Sequence, residues 1–273
     1  MFSNPGTRRA TRLGLVLVGL TLCCCLVTVG GWVLGGFDAL RGGNLDQVVR
    51  SEVSAPVDGA ITLEVTHGVG NVTVRGDGES EVRVEVTTRG ATLELAQAVT
   101  TTLAAEEQDL TFSLQGVDED EVQVDLVIHT PTETALLLDT QVGTVEVVGL
   151  RGALEIEHAS GRVVVQDHAA DERFIVRGGS TNVSVSLESV EPGTSVALSS
   201  RVGGVDIRLP DSIGFRLDAS SDAGKVEVGG FIFNNRTDEQ DGPANAVTGV
   251  ADPVDGRTLM LETGVGDIFL DER

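Results

Sequence analysis

A chain of 273 residues with 41% hydrophobic residues has enough apolar material for a substantial core, in one large domain or two small ones. Aromatic residues make up only 3%, with no Tyr and a single Trp, whereas 34 glycines accompany abundant Val, Leu and Ile, a mixture that points to many short strands around a narrow interior. The formal net charge is −23 and every Asp and Glu lies after residue 37, which disfavours nucleic acid and anionic lipid as partners.

Residues 1–12 carry Arg8, Arg9 and Arg12 ahead of the uncharged stretch 13–37, which is long enough to cross a bilayer. The basic flank predicts a single-pass cell-membrane anchor with a cytoplasmic amino terminus, so the acidic remainder is extracytoplasmic. A cleaved signal peptide is the competing reading, but the apolar stretch exceeds an ordinary signal core and no clear small-residue cleavage site follows it. Cys23, Cys24 and Cys25 all lie in this stretch. Consecutive helical positions point apart, so the three do not chelate one metal, and the rest of the chain has no disulfide to stabilise it. Residues 38–54 read as a linker.

From residue 55 to 273 the sequence repeats itself. Seven segments share a pattern of two alternating apolar anchors, a small or histidine position, a glycine three residues later, and two further apolar anchors; "LLLDTQVGTVEVVG" is one copy. The glycine slot holds Gly70, Gly143, Gly161, Gly203, Gly224 and Gly266, with Thr181 in the seventh copy. Period-two alternation predicts half-buried strands, and glycine at the corner between two strands permits a positive φ or a close backbone approach. From Leu136 onward the copies begin 18, 20, 22, 21 and 42 residues apart, the last interval spanning two periods around a polar insertion. A unit of this size cannot bury its own apolar face, and stacking completes the core. The expected fold is therefore all-β, a single-stranded stack or β-solenoid behind one transmembrane helix. A hairpin-built β-sandwich is the alternative.

Two regions depart from the period. Residues 75–135 contain two strand-like runs, "EVRVEVTT" and "VQVDLVIH", and between them Leu95, Val99 and Leu103 at four-residue intervals predict a short helix. Residues 233–256 read as a protruding polar loop, in which Asn234, Asn235, Arg236 and Asp238 form a candidate interaction site.

The stretches "GVGNVTV", "LLDTQVGTVEVVGLRGALEIEHASGRVVVQD" and "SSRVGGVDIRLP" resemble a family of bacterial envelope proteins, the adhesin-like β-strand-repeat proteins with a domain of unknown function, over residues 55–270. The resemblance implies a short membrane-tethered solenoid in the envelope and transfers no catalytic residue. Some such proteins are similar to accessory components of envelope-stress systems. The long insertion at 233–256 departs from the family pattern and puts the packing of the last rung in question.

Chemistry-bearing motifs are sparse. His67 and His158 occupy the same repeat slot and raise a metal hypothesis, against which stands the Thr, Ser or Gly found there in other copies. The acidic run 118–121 and "GVGDIFLDE" are weak calcium signals, and the Arg-Gly-Asp at 75–77 is a three-residue match. No nucleophile elbow, phosphate loop or zinc-protease motif is present. The expectation is a non-enzymatic, cofactor-free envelope scaffold. It would bind an envelope polymer, a surface or a protein partner and could pair with itself through its terminal rungs. The alternative is an accessory regulator of an envelope-stress sensor, acting through a membrane partner.

Overall fold

The computed structural model describes residues 47–77, 80–116, 121–211, 213–251 and 255–273. The anchor at 13–37 and most of the proposed linker lie outside them. Among the described residues no helix is long and apolar enough to cross a membrane.

Along the chain run β1 (Gln47–Pro56), β2 (Ile61–Val69), β3 (Val72–Gly76), β4 (Glu81–Gly90), the helix α1 (Leu93–Ala98), β5 (Thr100–Glu106), β6 (Asp109–Gln115) and β7 (Val122–Thr130). Three long bent strands follow, β8 (Thr134–Val148), β9 (Leu154–Ala170) and β10 (Arg173–Val190). The remainder comprises β11 (Ser195–Val202), β12 (Val205–Leu209), β13 (Phe215–Ala223), β14 (Val226–Val228), β15 (Phe233–Asp241), β16 (Ala244–Ala251), β17 (Thr258–Val265) and β18 (Ile268–Glu272). The protein is all-β. Thr92 caps α1 by accepting a hydrogen bond from the Leu95 amide, but Val99 is extended and Leu103 lies in β5, so the predicted helix ends earlier than its leucine spacing suggested. Residues 47–54, read as linker, belong to β1, which pairs antiparallel with β4 along its whole length.

The repeats form the centre of the sheet and pair parallel, unlike the hairpins of the sandwich alternative. Their registers place like on like: Leu63, Leu136, Leu154, Phe174, Val196, Leu259 and Leu217 form one ladder of paired neighbours. Beyond the corner Val72, Val145, Val163, Val183, Val205, Ile268 and Val226 form another. All of these are buried except Val226, which is half-buried in the last strand of its row. Stacking at about 4.8 Å rewards aliphatic side chains of matching shape, which is why Val, Leu and Ile fill the interior and aromatics are few.

Spatial order departs from chain order. The copy at 259–270, expected at the end of the stack, lies between the copies at 196–207 and 217–228, with β17 parallel to both β11 and β13. The cause is the segment read as a polar loop. Residues 233–251 form the hairpin β15–β16, and β16 pairs antiparallel with the far edge of β13. With that edge occupied, the returning chain enters on the near side of β13. At the opposite end β6 and β7 extend the sheet, followed by antiparallel β5, β4 and β1. A parallel centre is thus flanked by antiparallel strands, not repeated uniformly from 55 to 273.

The corner glycines stack with their rungs. Gly70, Gly143, Gly161, Gly203 and Gly266 have φ between 134° and 153°, and Gly224 lies in the same row outside that region. A Cβ on any of the six would overlap the corner carbonyl of the preceding rung: Val124 for Gly70, Gly70 for Gly143, Gly143 for Gly161, Thr181 for Gly203, Gly203 for Gly266 and Gly266 for Gly224. Gly204 differs, since its φ is ordinary and its nearest obstruction would be the Asp267 carbonyl at 3.3 Å. Gly203→Ala is therefore expected to cost about 3 kcal/mol and Gly204→Ala less than about 1 kcal/mol, measured as shifts in urea midpoint at constant slope.

Candidate functional site

The small or histidine slot of each repeat points inward. His67, Thr140, His158, Ser200, Ser221 and Thr263 are all buried, although each is flanked by aliphatic ladders. All but Thr140 serve the same carbonyls that the corner glycines approach. His67 Nε2 donates to the Val124 carbonyl at 2.7 Å and His158 Nε2 to Gly143 at 3.2 Å. Ser200 Oγ donates to Thr181 at 2.6 Å, Thr263 Oγ1 to Gly203 at 2.8 Å and Ser221 Oγ to Gly266 at 2.8 Å. Thr140 Oγ1 donates to His67 Nδ1 at 3.5 Å. The series ends in the hairpin, where Asn245 Nδ2 donates to the Gly224 carbonyl. Every bond runs in the same direction along the stack, in spatial and not chain order.

The bonds have a simple cause. A sharp corner interrupts the ladder of backbone bonds, and a buried carbonyl left without a donor costs about 1–3 kcal/mol. The slot supplies the donor. His67 and His158 fill that role, and their Nε2 atoms are committed to carbonyls. Among the described residues no three His, Cys, Asp or Glu side chains converge as a metal site would require. The sequence signal was available: a position always Thr, Ser, His or Gly between two aliphatic anchors marks a buried donor.

β10 exchanges the two positions. Gly178 stands in the donor slot and Thr181 in the glycine slot, where the threonine hydroxyl donates to the His158 carbonyl at 3.2 Å. A Cβ on Gly178 would come within 2.7 Å of the Thr181 Cβ, so the two residues share one volume. Outside the corner, Asn and Asp brace neighbouring rungs: Asn71 accepts from the Thr144 amide, Asn182 from Gly204 and Asp267 from Lys225, at 2.8–3.1 Å. Asp267, the first of the three acids in "GVGDIFLDE", is therefore engaged with backbone. Asp125 is held below the usual carboxylate range: burial opposes this, but the Asn71 amide, Gln123 and Arg89 outweigh it.

His168 is a further buried imidazole. It has no exposed surface, pairs in register with Leu187, packs edge-on against Phe174 with centroids 5.1 Å apart, and donates through Nε2 to the Gly152 carbonyl at 3.2 Å. Burial lowers its pKa to about 4, against weaker support for the charged form from Gly152 and Asp171. Burial also lowers His158.

The outward candidates are dispersed. Asn234, Asn235, Arg236 and Asp238 lie on the exposed edge strand β15, with Asn235 at φ 57° inside a bulge between Asn234 and Thr237. Arg236 Nε contacts Asp238 Oδ1 at 2.7 Å and its guanidinium lies 6.0 Å from the Phe233 ring centre, so its charge is already matched. The Arg-Gly-Asp tripeptide lies mostly in a strand. Arg75 and Gly76 belong to β3, which is paired on both sides, and Asp77 Oδ2 accepts from His129 Nδ1 at 2.6 Å. Of the acidic run 118–121 only Glu121 is among the described residues. On the face of the first strands Glu155 bridges Arg173 and Arg177, at 3.5 and 2.6 Å, and Arg177 also reaches Glu157 at 3.0 Å.

No protein-family model and no curated protein matches the chain. Among solved structures it is similar to a candidate cell adhesion protein from Clostridium sporogenes, at 16% identity and a TM-score of 0.48, over 82% of this chain and 100% of that one. A candidate adhesin from Bacteroides fragilis aligns at 12% identity and 0.28, over 82% and 97%. Another from Parabacteroides merdae aligns at 12% and 0.31, over 82% and 96%. Likenesses this slight carry no inference about function.

Two outcomes follow from the buried polar groups. Gly178→Thr alone should destabilise by about 1–3 kcal/mol, whereas Gly178→Thr with Thr181→Gly should recover most of the loss, giving a favourable coupling of at least about 1 kcal/mol in a double-mutant cycle. The pH dependence follows from His168. The unfolded chain protonates this residue near 6.5 and the folded chain only near 4. Its contribution is therefore complete above pH 6.5 and lost as pH falls towards 4. Relative to His168→Gln, which keeps a donor for Gly152 without titrating, the wild type should lose about 3 kcal/mol between pH 7 and pH 4 in urea unfolding. A constant difference across that range would contradict the assignment.

Proposed function

We propose that the chain is a non-enzymatic, membrane-anchored β-solenoid of the cell envelope. It acts as an adhesin-like scaffold that holds an envelope polymer, surface or protein partner against the outward faces of its rungs. The observation that carries this reading is the division of roles within the stack. Backbone groups and corner side chains are engaged in bonds between rungs, which leaves the outward positions as exposed ladders of polar side chains, some of them paired with one another. Asp139, Glu157, Arg177, Ser199 and Glu262 form one such ladder, paired in register at strand spacing. A repeating array of polar side chains suits a repetitive or extended ligand better than a single reacting atom.

The uncharged stretch 13–37 ahead of a strongly acidic remainder supports an anchored, extracytoplasmic domain. The edge strand β15 bears on self-association. Arg236, Asp238, Glu239 and Asp241 lie along its exposed length, and charge of this kind discourages edge-to-edge pairing. We therefore favour a partner on the faces over a second copy at that end.

The test is co-sedimentation of the detergent-solubilised full-length protein with purified wall polymer, and separately with membranes, at low and high salt. The scaffold reading expects saturable recovery with the wall fraction. Recovery only with protein-bearing membranes, or with neither, would transfer the weight to a regulator working through a membrane partner.

A further inference from the structure

The doubled glycine of "RVGGVDIRLP" serves two ends. Gly203 is required by the corner, whereas Gly204 has an ordinary φ and a Cβ there would make a tight contact, 3.3 Å, with the Asp267 carbonyl without overlapping it. Its effect is on the outside. It occupies an outward row between Asn182, whose Oδ1 accepts the Gly204 amide, and Asp267, whose carbonyl accepts from Val205. Where neighbouring rungs carry a side chain, this one carries none. The missing bulk opens a groove of about 410 Å³ in the second-strand face, lined by Arg162, Gln166, Asn182, Ser184, Asp206 and Phe269.

The groove's chemistry is specific. Phe269 is 42% exposed in a protein with eight Phe and no Tyr, and it stands in register beside Asp206, which in turn pairs with Ser184. Arg162, Gln166, Ser184 and Asp206 have no side-chain hydrogen bond or ion pair among the described residues, in contrast to the matched Arg173 and Arg177 on the other face. The strands beneath are paired on both sides, so no peptide strand can add there, and any occupant is recognised by side chains alone. A polyanion would meet Asp206 and the field of a chain with net charge −23. An exposed ring beside one cation, one anion and neutral polar groups suits an uncharged ring with one apolar face and several hydroxyls.

We propose that this groove is a subsite for a neutral pyranose unit of an envelope glycan. The apolar sugar face packs on Phe269, and the hydroxyls are held by Arg162, Gln166 and Asp206. The proposal rests on the scaffold reading and narrows it to one ligand class and one place.

The experiment uses the full-length protein in detergent, with a β-linked N-acetylglucosamine oligomer as probe and polygalacturonate as its anionic counterpart. Direct titration and competition against wall polymer are both measured. The neutral oligomer should bind and displace the protein from the wall. Gly204→Gln, which fills the groove, and Phe269→Ala should each weaken oligomer binding at least tenfold with thermal unfolding unchanged, and Phe269→Trp should retain it. Wall binding that survives both substitutions, or that only polygalacturonate or an added peptide displaces, overturns the groove and leaves the scaffold standing. A wild-type protein that binds no wall polymer overturns both.

Discussion

The contact on which the structure depends is the seat of one corner carbonyl between two groups of the next rung. A glycine Cα lies close against the oxygen, where any Cβ would overlap it, and three residues earlier a buried hydroxyl or imidazole donates to the same row of oxygens. Each requirement implies the other. Close approach of the backbones brings the donor within reach, and the donor removes the desolvation penalty of an acceptor that ordinary sheet pairing cannot satisfy at a sharp bend. Aliphatic ladders on either side supply most of the burial, but they are tolerant of exchange among Val, Leu and Ile. The corner tolerates no such exchange, and so it fixes the register.

The exception in β10 clarifies the rule. Gly178 and Thr181 reverse the usual order, and the hydroxyl still donates to a neighbouring carbonyl, now that of His158. What is held constant is one glycine and one donor across the two positions, not which position carries which. The histidines obey the same constraint at a different cost. An imidazole reaches the same row of carbonyls as a serine or threonine hydroxyl, but it brings into the core a group that titrates at acidic pH, as the buried His168 does elsewhere in the core.

Much of this was legible in the sequence because strand pairing at fixed spacing writes itself as fixed intervals. The shared pattern of apolar anchors on either side of the corner located the ladders, and the glycine slot located the bend. The buried donor was visible as a small polar column but was read as mere tolerance, because a polar residue in a corner is usually solvated. The helix was overextended, since Val99 and Leu103 suit a half-buried strand as well as a helix face. The insertion misled most. Its run of Asn, Asp, Gly and Pro describes a solvated loop, whereas Thr237, Val247 and Val250 find partners on the sheet and Asn245 closes the row of carbonyls at Gly224. Such partners are set by tertiary placement, which local composition does not encode. The outward groove had no signal beyond a second glycine.

The order of the rungs bears on how the domain assembles. In a stack laid down in chain order each new rung finds its template already formed. Here the copy at 217–228 reaches the rest of the sheet through β17 and β18, which come later in the chain. β13 can pair early only with the antiparallel β16, its neighbour through the hairpin, and that unit must then accept β17 on one side and dock with it onto β11. Completion of the core therefore waits on contacts of long sequence separation at both ends, where β2 likewise skips some seventy residues to meet β8. The antiparallel hairpin serves this late closure: it occupies the outer edge of β13 with the locally formed β16, so that the edge left open for β17 is the one facing β11.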